Sequence, residues 1–342
     1  MSISFKKIVT KTSFLNPLKN FSLDEVPFEI RFDPLTGQTG RVFDLPYHPE
    51  PPDLSQLVQR SKEIFCPFCP NALEKSTPLF PKELVRDGRI KVGKALLIPN
   101  LLPFDKYAGI SVLSPQHYLS MKDLTPEEIG DAFSATLLFV KRVAEVDPAV
   151  NFFSINWNYM PPAGSSLVHP HLQVSCGEVP TNQLRMQIEA SSTYFETHGT
   201  NFWQDFMVAE KEAEERYIGE INSIFWVMSY VPVSYLPDVW CIFSTHYSLA
   251  RLEEGELISF ADGLSRILRY FSLQNIASFN MSLFAIREGE HFRINARICP
   301  RLLTRAIGNS DQTYFQVIHK EPYTLRPPES ECHKVREVFR EA

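Results

Sequence analysis

The order of elements in the first half of the chain recurs in the second half, and this repeat limits the possible folds more than any other feature. The first copy is a strand that leads into Ser114-Pro115-Gln116-His117, then a helix and two strands. The second copy is a strand that leads into Phe243-Ser244-Thr245-His246, again followed by a helix and two strands. The copies are too far apart for a solenoid, whose repeats are about 20–50 residues long. The pattern predicts an α+β protein of two packed, pseudo-duplicated halves, at residues 28–200 and 216–325.

Hydrophobic periodicity places the individual elements. Thr125 followed by Pro126, Glu127 and Glu128 is typical of a helix start, and an apolar stripe continues to about residue 146. Two further helices are predicted at residues 201–217 and 253–271. The predicted strands are residues 89–99, 109–113, 151–157 and 172–175, and then 241–244, 280–286 and 292–298. We expect residues 1–27 to form an irregular arm and residues 44–62 a surface loop.

Composition excludes several classes of protein. The net charge is −6 and no cluster of basic residues stands out, which argues against a nucleic-acid surface. No apolar run approaches the roughly 20 residues that span a bilayer, because Pro232, Pro237 and Asp238 interrupt the longest one. The first residues lack a signal-peptide core, so we expect a cytoplasmic protein without membrane or nucleic-acid partners. Six cysteines in 342 residues do not make a disulfide framework.

The segment His169-Pro170-His171-Leu172-Gln173 carries the chemistry that we expect. A neutral imidazole is populated near pH 7 and can form a covalent intermediate with phosphorus. Residues two apart on a strand share a face, so His171 and Gln173 would face the same substrate. The alternative is a surface strand with two incidental histidines. Against it stands the preceding loop from Asn158 to Ser166, whose small polar residues can cradle phosphates, although a plain β-turn remains the alternative for the loop.

Gln173 favours a transferase over a hydrolase. Its amide can donate a hydrogen bond to a phosphoryl oxygen but carries no titratable proton at neutral pH. It therefore cannot help water to attack or a leaving group to depart. A second phosphate-bearing acceptor, which arrives already anionic, needs less help than water.

The pair Cys66-Pro67-Phe68-Cys69 predicts a metal site. Two thiolates at this spacing fit tetrahedral zinc, and His117 and His169 are the natural candidates for the remaining ligands. A redox pair and two incidental buried cysteines are the alternatives. Pro70 and the irregular surrounding sequence disfavour the redox pair.

Together these motifs resemble the galactose-1-phosphate uridylyltransferase family of the histidine-triad superfamily. Arg31-Phe32-Asp33-Pro34-Leu35-Thr36-Gly37 is similar to its N-terminal signature, and Cys66/Cys69 to its zinc pair. Ser114-Pro115-Gln116-His117 is similar to its third-ligand segment. The segment from His169 to Gln173 matches its active-site motif, with Leu172 where glycine is usual.

The resemblance implies a role for each matched residue. His169 would be the fourth ligand of a structural zinc, and His171 the nucleophile that becomes nucleotidylated. Gln173 would bind the transferred phosphoryl group. The substrate-binding residues would be Gly164, Ser165 and Ser166 along the diphosphate, with Asn100 and Asn158 at the nucleoside. The resemblance also implies a homodimer.

Three departures from the family pattern argue against galactose 1-phosphate as the substrate. Asn295 and Arg297 stand where the family has metal-binding histidines, and Gln187 lies near the expected carboxylate, so we expect no second metal. Only Arg41 is close to the place of a basic pair. The segment Phe315-Gln316-Val317-Ile318-His319-Lys320 replaces the sugar-recognition segment.

These features predict a nucleotidyltransferase that acts on a nucleotide sugar and a sugar 1-phosphate or phosphate, through a covalent nucleotidyl-histidine. A nucleotide-sugar phosphorylase resembling ADP-glucose phosphorylase, or a dinucleotide hydrolase, is the alternative enzyme. A nucleotide-binding regulatory protein is the alternative outside the enzymes.

Overall fold

A computed structural model describes residues 3–50, 53–302 and 310–341. The strands are β1 (Lys7–Asn16), β2 (Ser22–Phe32), β3 (Thr39–Phe43), β4 (Ile90–Val92), β5 (Ala95–Pro99), β6 (Tyr107–Val112), β7 (Phe152–Tyr159), β8 (His171–Gly177), β9 (Tyr217–Ile221), β10 (Ile224–Met228), β11 (Val239–Phe243), β12 (Ser278–Ile286), β13 (Asn295–Arg301) and β14 (Tyr323–Thr324). The helices are α1 (Ser55–Glu63), α2 (Pro70–Ser76), α3 (Pro126–Val146), α4 (Asn182–His198), α5 (Phe202–Ala213), α6 (Glu254–Leu273), α7 (Tyr314–Val317) and α8 (Pro328–Arg340).

The predicted repeat is visible in the strand order. One antiparallel sheet of ten strands runs β4-β5-β6-β8-β7-β12-β13-β11-β10-β9. Counted inward from each edge of the sheet, the two sets of five strands follow the same order, because β9 to β13 correspond in turn to β4 to β8. α3 connects β6 to β7, and α6 connects β11 to β12 in the same way. The α+β, pseudo-duplicated fold predicted from the sequence is therefore confirmed.

The two repeated helices cover one face of this sheet. Thr125 caps α3, accepting from the backbone N–H of Glu128, whose carboxylate accepts from the Thr125 backbone in return. Such a capping box satisfies two helix-end donors. The apolar stripe of α3 packs on α6, with the rings of Phe133 and Phe260 4.9 Å apart. Alternate residues of every central strand point into this core, so the intervening residues face the opposite side.

The opposite face is covered mainly over the second half. α5 packs there on β11, with the rings of Trp203 and Trp240 5.4 Å apart. A smaller sheet of order β1-β2-β3-β14 lies beside it. The first half leaves its opposite face more open, and the residues predicted to carry the chemistry lie there. Of the helices in the described residues, none has the length and apolar character to cross a bilayer.

Two sequence predictions about local structure were wrong. Residues 1–27 are not an irregular arm, because β1 and β2 form a long hairpin over most of that range. Within residues 7–27 both faces of the hairpin are largely exposed, which removes the apolar alternation that marks a strand. Cross-strand ion pairs such as Lys11–Glu25 at 2.7 Å join its two strands. Residues 44–62 are not all loop either, since α1 begins at Ser55. That helix fully buries none of its residues, and only Leu57 and Val58 pack partly exposed against the core, so its apolar stripe is short.

Candidate active site

His171 is the first residue of β8 and lies opposite Val112 of β6. Its side chain is only 5% exposed. The ring nitrogen Nδ1 lies 2.8 Å from the carbonyl oxygen of His169, and a carbonyl can only accept, so Nδ1 carries the proton. The other ring nitrogen, Nε2, then has a free lone pair. Burial lowers the pKa of His171, which keeps the imidazole neutral and nucleophilic.

The side chain of Gln173 projects from the same face of β8 as His171. Leu172 and Val174 alternate with it and are fully buried in the core under α3. Gln173 itself is partly exposed, and its amide forms no side-chain hydrogen bond with the described residues. The amide is therefore available to a ligand bound beside His171.

The loop between β7 and β8 makes two tight turns. Met160 has φ 69° and ψ 157°, a backbone region that residues other than glycine rarely adopt, and its side chain is nearly fully buried. Gly164 follows at φ 85°, where a glycine is favoured. The hydroxyl of Ser165 donates to the Leu167 carbonyl at 2.6 Å, whereas Ser166 is exposed. Among these serines, Ser166 thus has the hydroxyl that a ligand can reach.

The second half holds this loop in place through Asn280 on β12. The Asn280 amide donates to the Asn158 side-chain oxygen at 2.7 Å and to the Ala163 carbonyl at 2.8 Å. Arg301 in turn donates to the Asn280 side-chain oxygen at 2.7 Å. The oxygen of Asn158 is thus already engaged, and its amide nitrogen is the group left for a ligand. Sequence reasoning missed Asn280, whose contact depends on the pairing of β7 with β12.

Asn100 lies just beyond the end of β5, in the turn that leads to β6. Its side-chain oxygen accepts a hydrogen bond from the backbone N–H of Leu102 at 3.0 Å. This bond shapes the turn, and the next residues, from Leu101 to Phe104, are largely exposed apolar side chains. Asn100 therefore stands at an open edge of the first half.

The four predicted metal ligands come together beside His171. The ligand atoms of Cys66, Cys69, His117 and His169 all lie within 4.8 Å of one another. Cys69 caps the start of α2, and His169 precedes β8. This group is able to hold a metal ion.

The chemistry and spacing of these four groups fit zinc. A tetrahedral zinc, with bonds of about 2.3 Å to sulfur and about 2.0 Å to nitrogen, separates the two atom types by about 3.5 Å. The Cys66 Sγ lies 3.6 Å from the His169 Nδ1, and the Cys69 Sγ lies 3.3 Å from the His117 Nδ1. Burial, with the neighbouring Cys66, raises the pKa of Cys69 to about 11, and a cation between the sulfurs would reverse that effect.

Both histidines of this group are oriented through their other ring nitrogen. The His169 Nε2 donates to the carbonyl of Ser114 at 2.8 Å, which leaves Nδ1 unprotonated. The His117 Nε2 lies 2.9 Å from the hydroxyl of Ser61 on α1. Partners of this kind fix the tautomer of metal-binding histidines. α1, which the sequence did not reveal, supplies one of them.

Phe68 is a further residue that sequence reasoning missed. Its ring centroid lies 5.2 Å from that of His171 in an edge-on arrangement, and the side chain is buried. It thus links the cysteine pair to the proposed nucleophile and excludes water from one side of the imidazole. Its position between Cys66 and Cys69 was the available signal.

The corresponding strand of the second half carries different side chains. Asn295 is fully buried; its amide nitrogen donates to the side-chain oxygen of Gln187 at 3.3 Å, and its own side-chain oxygen accepts from the indole N–H of Trp240 at 3.0 Å. Arg297 lies over the ring of Trp240 at 5.2 Å and 3.6 Å from the carboxylate of Asp238. Hydrogen bonds and a stacked guanidinium fill the place where metal-binding histidines would stand.

Comparison of the amino-acid sequence with known proteins identifies relatives of this chain. No protein-family model matches the chain. An uncharacterized protein of Archaeoglobus fulgidus is 30% identical over 326 residues, which cover 93% of this chain and 94% of that protein. The ADP-glucose phosphorylase of Arabidopsis thaliana is 24% identical over 142 residues, 42% of this chain and 38% of that enzyme.

Solved structures share the fold over nearly their whole length. A GalT-like protein from Arabidopsis thaliana superposes with a TM-score of 0.70 at 19% identity, covering 91% of this chain and 99% of that one. For the Arabidopsis ADP-glucose phosphorylase with bound ADP-glucose, the TM-score is 0.67 at 19% identity, with 92% and 99% covered. For a uridylyltransferase it is 0.64 at 19% identity, with 91% and 98% covered.

The duplicated ten-stranded sheet therefore has the fold of the GalT-like protein, the ADP-glucose phosphorylase and the uridylyltransferase, which confirms the resemblance inferred from the sequence at the level of the fold. Within that fold class, the chain belongs to the same family as the Archaeoglobus fulgidus protein.

Proposed function

We propose that the protein is a nucleotidyltransferase that carries a nucleotide on His171. The observation that supports this most directly is the bond from the His171 Nδ1 to the His169 carbonyl, which leaves Nε2 unprotonated and free to attack. In the first step Nε2 attacks the α-phosphorus of a nucleotide sugar. A phosphorus–nitrogen bond forms, and the bond to the departing sugar 1-phosphate breaks.

In the second step a phosphate oxygen of the acceptor attacks the same phosphorus, and the bond to His171 breaks. Gln173 donates its amide to a phosphoryl oxygen in both steps and steadies the developing charge. Ser166 and the loop at Gly164 contact the diphosphate, and Asn100 and Asn158 contact the nucleoside. Phe68 limits the access of water to the intermediate.

We propose zinc as the cofactor, held by Cys66, Cys69, His117 and His169. With these four protein ligands, the ion would stabilise the fold and would leave no open coordination position for substrate. Bound there, it would tie the turn before β8, and so the orientation of His171, to α2. We place the protein in the cytoplasm and propose that it works as a homodimer.

The acceptor divides two closely related activities. Inorganic phosphate as acceptor would make the protein a nucleotide-sugar phosphorylase, which the local likeness to ADP-glucose phosphorylase favours. A sugar 1-phosphate would make it a hexose-1-phosphate nucleotidyltransferase. Because the segment from Phe315 to Lys320 departs from the uridylyltransferase pattern, we expect galactose 1-phosphate to be a poorer acceptor than glucose 1-phosphate or phosphate. Unmatched buried polar groups make such discrimination strong.

Covalent labelling tests this function. The protein is incubated with nucleotide sugars that carry ³²P at the α-phosphate, one base at a time, and the label retained on the chain is counted. We expect label with one base, its release by the correct acceptor, and no label on His171→Ala. The matched control is His333→Ala, an exposed histidine on α8, which should label like the wild type. Labelling of His171→Ala at the wild-type level would refute the mechanism.

A further inference from the structure

The outer edge of β1 is the longest strand edge that lacks a partner in the part of the chain that the structure describes. β1 lies at one end of the small sheet, whose order is β1-β2-β3-β14, and it is ten residues long. The strands at the other sheet ends, β14, β4 and β9, have two, three and five residues. An unpaired edge presents a row of backbone N–H and carbonyl groups that a further strand can bond.

The outer part of the β1–β2 hairpin also lacks a third strand. β3 pairs with β2 only from Phe28 to Phe32, so residues 11–27 form a two-stranded ribbon within the described residues. Two strands alone are only marginally stable in water, whereas three or more strands with an apolar face are stable.

Apolar side chains are exposed along this hairpin. Seven large ones are at least two-fifths exposed: Ile8, Val9, Phe14, Leu15, Leu18, Phe21 and Leu23. A concentration of exposed apolar side chains on one element marks a surface that another molecule covers. The free edge and the exposed side chains therefore both indicate that the hairpin has a binding partner.

The charges of β1 do not protect its free edge. Natural edge strands are often protected from pairing by lysine side chains. The Lys7 Nζ lies 2.6 Å from a carboxylate oxygen of Glu29, and the Lys11 Nζ lies 2.7 Å from one of Glu25. Both glutamates belong to β2, so they draw the two ammonium groups towards the inner strand. β1 has no other charged residue, and its edge is left without a free charge that would repel another strand.

We propose that β1 pairs antiparallel with β1 of a second copy of this chain, so that two four-stranded sheets become one sheet of eight strands. A two-fold axis perpendicular to the sheet would relate the copies, and each copy would use the same surface. This proposal gives an interface to the homodimer proposed above and rests on it. It does not depend on nucleotidyl transfer, because no residue assigned to the His171 site or to the metal site lies in β1.

The sequence of β1 is complementary to itself in one register. Such an axis opposes residues of the same face, and centring the pair on Thr12 brings Thr12 opposite its own copy. The other opposed pairs would then be Lys11 with Ser13, Thr10 with Phe14, Val9 with Leu15, and Ile8 with Asn16. No like charges are opposed, and cross-strand threonine and apolar pairs stabilise a sheet. Centring the pair on Lys11 would instead oppose two lysines.

Disulfide trapping of the zinc-loaded protein tests this register. Directly opposed Cα atoms lie about 4.5–5.5 Å apart, within the range of a disulfide. The two copies of Thr10 would be separated by four residues along the strands, or roughly 14 Å. After mild oxidation we expect a covalent dimer of Thr12→Cys on a non-reducing gel. Thr10→Cys, the matched control on the same face of β1, should cross-link no more than the wild type, whose six cysteines set the background.

A charge at the axis provides a second test that needs no disulfide. Thr12→Lys opposes two ammonium groups, and like charges directly opposite destabilise a pair of strands. We expect the Kd of the dimer, measured by sedimentation velocity, to rise on the order of tenfold or more. Thr197→Lys is the control: it adds the same charge in the exposed last turn of α4, where a cation favours the helix, and should leave the Kd unchanged.

The outcomes separate this interface from the other proposals. A monomeric wild type at all concentrations would overturn both the interface and the homodimer. A dimer that Thr12→Lys leaves intact, or that Thr10→Cys traps as well as Thr12→Cys does, would overturn the interface alone. The labelling of His171 is measured independently, so its failure would leave this interface standing.

Discussion

At the scale of single residues, the two side chains on the exposed face of β8 divide the work of the proposed site. His171 presents a neutral nitrogen, because the carbonyl of His169 fixes its proton on the other side of the ring. Gln173 presents an amide that donates a hydrogen bond without gaining or losing a proton. In the proposed reaction, the balance between transfer and hydrolysis would therefore rest on the carboxamide of Gln173.

Replacing Gln173 by histidine tests this balance. An imidazole beside the intermediate can accept a proton from water, and general base catalysis typically contributes about 10²- to 10⁴-fold to a rate. We expect Gln173→His to transfer the nucleotide to phosphate acceptors more slowly and to hydrolyse the nucleotide sugar at least about tenfold faster. Initial rates of nucleoside monophosphate release with and without acceptor measure both. Gln173→Leu, which removes the amide without adding a base, should lose transfer and gain no hydrolysis; equal hydrolysis in both variants would contradict this explanation.

The metal ligands can be tested by exchanging equivalent histidines in the two halves. His117 lies against Cys69, whereas its counterpart His246 bonds the carboxylate of Glu256 at 3.0 Å. We expect one zinc per chain in the wild type and in His246→Gln, a loss of zinc in His117→Gln, and none in the double variant Cys66→Ser, Cys69→Ser. Because a closed zinc site contributes folding energy, the melting temperature should fall with the metal. Mass spectrometry measures the zinc content of each variant, and thermal unfolding measures its melting temperature. Full zinc in the double variant would show that the ion binds elsewhere.

The sequence identified the residues that belong to a recognisable motif or spacing, and it did not identify those that matter only through tertiary contacts. The spacing of Cys66 and Cys69 and the His-Pro-His segment pointed to groups that the structure brings together. Asn280 and Ser61 gave no such signal, because each matters only through a partner more than fifty residues away in the chain. An amide or a hydroxyl alone does not reveal what it will contact.

At the scale of elements, the sequence revealed those that combine apolar periodicity with an end signal. α3 has both, and its predicted start at Thr125 is the observed cap. The part of the β1–β2 hairpin before residue 28 has neither, since both its faces are largely exposed, and α1 fully buries no side chain. Elements that owe their stability to pairing or to neighbours leave little pattern in their own residues.

A group of ion pairs around one buried arginine holds several of these elements together. Arg216, which precedes β9, is 1% exposed and bonds Glu210 of α5 at 3.1 Å and Glu329 of α8 at 2.8 Å. Its guanidinium also lies 4.4 Å from the ring centre of Phe5. Breaking such a pair costs about 3–5 kcal/mol, because it leaves an uncompensated buried charge.

We therefore expect Arg216→Met to lower the free energy of unfolding by about 3–5 kcal/mol, and Arg216→Met with Glu210→Leu to recover much of that loss. Burial raises the pKa of Glu210 to about 7, above its unfolded value. A raised carboxyl pKa favours the folded state at low pH, so the loss should be smaller at pH 5 than at pH 8. Urea unfolding at both pH values measures it. Lys211→Met, which breaks an exposed pair with Glu220, should cost less than about 1 kcal/mol; a similar cost for both pairs would contradict this account.

At the scale of the whole molecule, the two halves form one sheet rather than two separate domains. β7 and β12 pair along eight residues at the centre, and α3 packs on α6 over the joint. The sequence revealed the repeat but not this join, because strand pairing between distant segments leaves no local pattern. We expect the halves to unfold together.

Equilibrium unfolding in urea tests this cooperativity. Trp157 reports on the first half, and Trp203, Trp226 and Trp240 report on the second. We expect the fluorescence of the wild type, the fluorescence of Trp157→Phe and the far-ultraviolet circular dichroism to give coincident transitions. A plateau, or a first-half signal that is lost before the second, would show that the halves are independent.

The bridge from Arg301 through Asn280 to the Ala163 carbonyl gives the second half, which lacks the proposed nucleophile, a structural role in the proposed site. A duplicated gene product often leaves one copy free to change. Here the second half supports the loop between β7 and β8, so the residues on its contacting surface are constrained. A natural substitution of Asn280 or Arg301 would therefore alter the conformation of the loop beside His171, in the other half of the molecule.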